Sequence, residues 1–217
     1  MISSHSLKTE MILSLTIDYY FNPQSPWTYL GHARFTRLAL AAGATVRVRP
    51  IDFNAVFPAT GGLPLGKRAP QRQSYRLVEL RRFSDHLGVP LNLHPKFFPV
   101  AVDPVAQLII AVDVHDGTAA AMAFCGAVFE ALWVQERDLA DPAVLRELLS
   151  LQGLSAERAE QAGDEKIRAL YHNYTTQAIE AGVFGAPSYV IDGEIFWGQD
   201  RLDFLENALK KRRPALT

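Results

Sequence analysis

Between Leu13 and Phe21 the chain alternates, with Leu13, Leu15, Ile17, Tyr19 and Phe21 on one side and Ser14, Thr16, Asp18 and Tyr20 on the other. A period of two predicts a β-strand. Past Pro26 the period lengthens: Trp27, Gly31, Phe35, Leu38 and Ala42 fall on one face of a helix that Gly43 can stop. Val46 and Val48 then alternate with Arg47 and Arg49 up to Pro50, which reads as a second strand. Strand, helix, strand is a βαβ unit, and its parallel crossover is expected to be right-handed.

From Ile51 to Pro70 neither period holds, and Pro58, Gly61, Gly62, Pro64, Gly66 and Pro70 mark a long irregular segment. Loops of that length are often functional. Helical patterns follow: Tyr75 to Leu87 ending at Gly88, Val105 to Val114 ending near Gly117, Ala119 to Val134, Pro142 to Leu151, and Glu165 to Ala181. In the last of these Ile167, Leu170, Tyr171, Tyr174 and Ala178 form one stripe, with Gly182 beyond its end. Strand character returns at Ser188 to Ile191 and Glu194 to Trp197, parted by Asp192-Gly193. That dipeptide suits a type I′ turn, which needs positive φ at both central residues, so a hairpin is expected. A closing helix turns Leu202, Leu205, Ala208 and Leu209 inward.

Composition narrows function more than fold. The chain has 217 residues, 48% of them hydrophobic, enough to bury a substantial core. A formal charge of −1 gives no bulk electrostatic case for nucleic acid or an anionic membrane, and neither is expected as a partner. Lys210-Lys211-Arg212-Arg213 closes the last helical pattern, where cations complement the helix dipole. The most apolar helical pattern carries Glu130 and is too short to span a bilayer. Met1 to Glu10 is polar and lacks a signal-like apolar stretch, so a frayed tail and a cytoplasmic location are expected. The single Cys125 excludes an intramolecular disulfide and, beside Met122, Phe124 and Val128, reads as a buried inert thiol. Six scattered histidines show no ligand spacing, so no metal site is expected.

Chemistry concentrates where the first strand hands over to the first helix. Pro26 suits the first helical position and Ser25 the N-cap. The unpaired amides of that helix end, together with its dipole, favour an anion. Ser25 is therefore either a plain cap or the centre of a site, and the local sequence leaves both open.

A βαβ unit, a helical run and a hairpin with its helix, together with Gly185-Ala186-Pro187-Ser188 ahead of the hairpin, resemble the thioredoxin-like fold of the DsbA type. The expected class is therefore α/β: a thioredoxin-like fold, βαβ plus β-hairpin and helix, with a large all-helical insertion. Residues 11–70 and 182–213 would form the discontinuous thioredoxin-like domain and 71–181 the inserted helical domain. The resemblance implies a cis bond at Pro187, facing the N-terminus of the first helix. Redox members begin that helix with Cys-x-x-Cys, whereas Ser25-Pro26-Trp27-Thr28 stands here. Thiol–disulfide exchange by the protein's own sulfurs is thereby excluded.

Three motifs in order, Ser25-Pro26-Trp27-Thr28-Tyr29-Leu30, Gly182-Val183-Phe184-Gly185-Ala186-Pro187 and Phe196-Trp197-Gly198-Gln199-Asp200-Arg201, resemble the 2-hydroxychromene-2-carboxylate isomerase family, related to kappa-class glutathione transferases. The likeness runs from about Leu13 to Leu209. It implies glutathione as cofactor and Ser25 as the catalytic residue that hydrogen-bonds its thiolate. The implied reaction interconverts 2-hydroxychromene-2-carboxylate and trans-o-hydroxybenzylidenepyruvate, or a related aromatic ketoacid, by thiolate addition, bond rotation and elimination. The Ala186 backbone beside Pro187 would pair with the cysteinyl part of glutathione, and Gly62 and Leu63 would add backbone contacts. Trp197, Gly198, Gln199, Asp200 and Arg201 would take the γ-glutamyl end, although Asp200 also reads as a plain N-cap of the last helix. Lys67 and Arg68 would meet the substrate carboxylate. Phe57 and Phe98 stand where family members carry a lysine and a tyrosine, which leaves Phe98 as an apolar part of the substrate wall. A homodimer is implied as well. Two other readings stay open: a kappa-like transferase that conjugates glutathione to electrophiles, and a non-catalytic module that binds small thiols or extended peptides.

Overall fold

The computed structural model describes residues 15–212. Leu13, the tail expected over residues 1–10, and Arg213 of the basic cluster lie outside the described residues. The alternating stretch forms β1 (Thr16–Phe21), with Ile17, Tyr19 and Phe21 fully buried. Strand β2 (Thr45–Pro50) runs parallel to it, joined by helix α1 (Pro26–Ala42). The hairpin also forms: β3 (Ser188–Ile191) and β4 (Glu194–Trp197) meet across Asp192 and Gly193, whose φ angles are 50° and 81°. Strand β3 lies antiparallel to β1, giving the order β2-β1-β3-β4.

The segment expected to be irregular is not. Residues 53–60 form α2 (Phe53–Thr60), capped by the Asp52 carboxylate on the Asn54 amide at 2.8 Å and closed by Gly61 at φ 76°. A 3₁₀ turn, Leu65–Lys67, follows. Pro58 concealed α2 because a proline within a helix forfeits a hydrogen bond and usually argues against one. The helical run is α3 (Pro70–Leu87), α4 (Asp103–Asp116), α5 (Thr118–Trp133), α6 (Pro142–Leu151), α7 (Glu157–Gln161) and α8 (Glu165–Glu180). Helix α3 begins well before Tyr75, with Pro70 in its first turn, where a missing N–H costs nothing. After β4 a 3₁₀ turn, Gln199–Arg201, leads into α9 (Leu202–Arg212), which buries Leu202, Leu205, Ala208 and Leu209 as expected.

One apolar core joins the sheet to the helices, from Tyr19 and Phe21 through Phe35 to Ile109, Phe124, Phe129 and Trp133. The Tyr19 and Tyr189 rings stack nearly parallel at 5.5 Å across β1 and β3. Cys125 sits within this core at 0% exposure, and burial pushes its thiol well above the usual range, as an inert cysteine requires. Among the described residues no helix is long and apolar enough to cross a membrane.

Helix α1 departs from its expected stripe. Gly31 and Phe35 are buried, but so are Pro26, Thr28, Leu30, His32 and Ala39, while Trp27, Leu38 and Ala42 are only partly buried. The reason is that α1 packs on two sides at once. His32 leaves the sheet side toward α5, where its ring meets Phe129 edge-on at 5.1 Å. Its Nε2 lies 2.9 Å from the Met122 carbonyl, an acceptor only, so Nε2 carries the proton. Nδ1 then accepts from the Tyr19 hydroxyl at 3.2 Å. Both ring nitrogens are satisfied with the imidazole neutral, and burial lowers its pKa from 6.5 to about 4.

Candidate functional site

Ser25 caps α1 in extended geometry, at φ −77° and ψ 117°, with its Oγ accepting from the Thr28 amide at 3.2 Å. That bond uses the oxygen as acceptor only. Among the described residues nothing accepts the Ser25 hydroxyl proton, and the Trp27 amide in the first turn has no partner either. The helix entrance thus presents one O–H and one N–H for an anion to receive, reinforced by the helix dipole.

The turn that holds Ser25 is fixed from three directions. The Ser25 amide donates to the Asn22 carbonyl at 2.9 Å, and the Asn22 side chain accepts from the Gln24 amide at 3.2 Å. The same side chain, 3% exposed, donates to the carbonyl of Ile51 just past β2 at 3.3 Å. Gln24 Oε1 accepts from the Val100 amide at 3.0 Å, tying the turn to the loop before α4. Neither Asn22 nor Gln24 was singled out from sequence, although Asn22-Pro23 is an ordinary turn signal.

Strand register brings the second motif to the same end of the sheet. Tyr20 pairs with Ser188, so Pro187 falls at the level of Phe21 and Ala186 just beyond it, where the chain enters the Ser25 turn. The Ala186–Pro187 bond is cis, as the resemblance implied. Its neighbour Ser188 donates to the Gly185 carbonyl at 2.8 Å, and the Pro187 carbonyl accepts from the Gly198 amide at 2.9 Å. Ala186 itself makes no backbone hydrogen bond among the described residues, leaving its N–H and C=O for an added strand. Trp197 covers this loop. A Cβ at Gly185 would fall 2.3 Å from its indole nitrogen, so only glycine permits the approach. Phe184 packs on Trp197 at 4.7 Å, and both rings remain exposed.

Residues 199–201 are less uniform than the sequence suggested. Gln199 is 2% exposed and turned inward, where Arg34 donates to its side-chain oxygen and, at 2.7 Å, to its carbonyl. Its position against Gly31 is close: a Cβ there would meet Gln199 Cβ at 2.8 Å. Gly198 holds the cap position of the 3₁₀ turn and Asp200 lies inside it, two residues before α9, so its reading as a plain N-cap of the last helix does not hold. Its carboxylate instead pairs with Arg201 at 2.6 Å on the exposed side of the 3₁₀ turn.

The third group lies between α2 and α3. The Gly62 amide donates to the Phe57 carbonyl at 3.0 Å, and the Leu63 carbonyl accepts from Arg68 at 2.8 Å, which leaves the Leu63 amide free among the described residues. Lys67 is exposed and has no side-chain partner among the described residues, whereas Arg68 is half-buried. Phe98 packs on Trp133 at 5.0 Å and lines a cavity of about 560 Å³ with Leu65, Arg76, Leu77 and Leu93. Phe57 stacks on Phe53 at 4.5 Å and lies against Gly62. Arg76 in this cavity wall was not visible as a site residue, because it is one of several arginines on the same polar helix.

Comparison with known proteins bears on the fold and the family. Residues 16–210 match the model of the DSBA-like thioredoxin domain. The chain is 33% identical over 199 residues to 2-hydroxychromene-2-carboxylate isomerase of Sphingobium xenophagum, covering 91% of this chain and 99% of that one. It is 23% identical over 223 residues to human glutathione S-transferase kappa 1, covering 92% and 93% respectively. Among solved structures, a 2-hydroxychromene-2-carboxylate isomerase superposes with a TM-score of 0.74 at 28% identity, over 90% of this chain and 95% of that one.

Proposed function

The chain belongs to the 2-hydroxychromene-2-carboxylate isomerase family within the DSBA-like thioredoxin domain, and from that premise we propose that it is a glutathione-dependent cis–trans isomerase of an aromatic ketoacid. The observation that carries the reading is the Ser25 hydroxyl. Its oxygen is spent on the Thr28 amide while its proton has no acceptor among the described residues. A serine cannot replace cysteine as a free nucleophile, but in this pose it donates to a sulfur anion, with the helix amides adding stabilisation of the same sign.

The residues present suit glutathione. Ala186 offers an N–H and C=O unpaired among the described residues beside the cis proline, and the Leu63 amide is likewise free among them. Trp197 and Phe184 supply a wall, and Asp200 with Arg201 an ion pair able to meet an ammonium and a carboxylate. Gln199 serves through its place in the backbone, since its side chain is held by Arg34. When bound, glutathione supplies a thiolate that adds to a conjugated carbon and leaves again, so that the bond between can rotate and the cofactor is returned unchanged. Ser25 and the first turn of α1 keep that sulfur ionised, while the Asn22 and Gln24 hydrogen bonds hold Ser25 in place.

The assay that tests this follows 2-hydroxychromene-2-carboxylate equilibration with and without glutathione, with mass analysis of the product. Glutathione-dependent equilibration and a product free of sulfur are expected. A product that keeps the glutathione would establish a kappa-like transferase instead, and no reaction with either electrophile or chromene would leave only a thiol-binding module.

A further inference from the structure

We propose that Arg76 is the cation that receives the carboxylate of the substrate, in the cavity between α3 and the loop that carries Phe98. The identity of the ketoacid rests on the isomerase reading above; the anion site rests on the cavity.

Three observations place it there. The cavity, of about 560 Å³, lies in the range of small-molecule pockets and is lined mainly by apolar groups, Leu65, Leu77, Leu93 and Phe98, with Arg76 as the charged side chain in its wall. The guanidinium stands over the Phe98 ring at 5.4 Å, and that ring is itself backed by Trp133. Among the described residues Arg76 has no carboxylate partner and no hydrogen bond. Glu79, one turn along α3, is taken by Arg82 at 2.6 Å.

A half-buried guanidinium without a counter-ion is unfavourable, and here its surroundings make it more so. Burial, then the charge of Arg68, pulls the Arg76 pKa down to about 10, and Arg72 acts on Arg68 in the same sense. Arg76 thus faces the cavity with other arginines behind it, and no carboxylate lines the wall. An anion entering it would relieve their mutual repulsion and regain hydrogen bonds that the planar fork of an arginine makes in pairs with a carboxylate. The aromatic and aliphatic wall suits a ring attached to that carboxylate. Lys67, by contrast, is exposed and stands outside the cavity wall. The loop that carries Phe98 also reaches the Ser25 turn: Val100, two residues past Phe98, donates to Gln24, the neighbour of Ser25.

Phenylpyruvate and its uncharged methyl ester are the probes, with binding to the full chain measured by calorimetry for wild type, Arg76→Leu and Arg76→Lys. Phenylpyruvate should bind wild type and lose about 10- to 100-fold in Arg76→Leu, as expected for a charged hydrogen-bonded pair. Arg76→Lys should fall between them, because it keeps the charge without the fork. On wild type the ester should lose a similar factor, and it should be indifferent to the substitution. That comparison on the unaltered protein holds even if Arg76→Leu folds poorly. Equal binding of acid and ester, no binding of phenylpyruvate, or an acid affinity unchanged in Arg76→Leu would each overturn the proposal. In turnover, Arg76→Leu should raise KM with kcat retained within a few-fold. If wild type binds phenylpyruvate through Arg76 but leaves the chromene unisomerised, the isomerase reading fails while the anion site stands.

Discussion

Ser25→Ala is expected to lower glutathione-dependent isomerisation by about 10²- to 10³-fold, the usual consequence of removing one preorganised donor from an anion. The substitution also removes a helix cap, which costs only about 1 kcal/mol of stability. The two effects separate in Ser25→Gly. Glycine is a tolerable N-cap and should cost a few tenths of a kcal/mol, yet it lacks the hydroxyl and should lose as much activity as alanine. Turnover and thermal unfolding of the three proteins in parallel decide the matter. If both variants retained activity within a few-fold of wild type, the free hydroxyl would have no part in the chemistry and Ser25 would be a cap alone.

The second large effect is on stability, and it lies in His32. Folded, the ring takes a proton only near pH 4, whereas in the unfolded chain it does so near 6.5. Between those values the unfolded state holds more protons, so stability falls as pH falls through this window and is fully present above it. The shift of roughly 2.5 units corresponds to about 3 kcal/mol, lost by pH 4 and not restored below it. In His32→Gln the amide can donate to the Met122 carbonyl and accept from the Tyr19 hydroxyl without titrating. Denaturant unfolding from pH 7 to pH 4 should show wild type losing about 1.4 kcal/mol per pH unit more than the variant across the window. Parallel curves would mean that His32 is not the group that responds.

Much of this architecture was legible in the chain because local rules decided it. Asp192-Gly193 dictated a turn whatever surrounded it, and Gly43 and Gly88 stopped their helices in the left-handed conformation, at φ 62° and 63°. The entrance to α1 was legible for the same reason, since Ser25 and Pro26 act on their own backbone. What escaped depended on partners far away in sequence. Helix α2 survives an internal proline through the Asp52 cap and through packing of Val56, which is fully buried. His32 occupies a buried face of α1 that hydrophobic periodicity cannot reveal, because a polar residue there needs partners, here from α5 and β1, to offset the cost of burial. Gln199 turned inward because Arg34 is 165 residues away in sequence and adjacent in space. Arg76 drew no notice as one of several arginines on a polar helix; only the cavity distinguishes it.

The account stands on a thiolate held at the entrance of α1 by the Ser25 hydroxyl and the open amides. The direct test is an absorbance titration of the glutathione thiolate against pH, in the presence of saturating wild-type protein. The bound thiol should ionise below about 7.5, under the roughly 8.5 of a free thiol. A bound thiol that ionises at the free value would contradict the account, since nothing at the helix entrance would then be stabilising the sulfur anion.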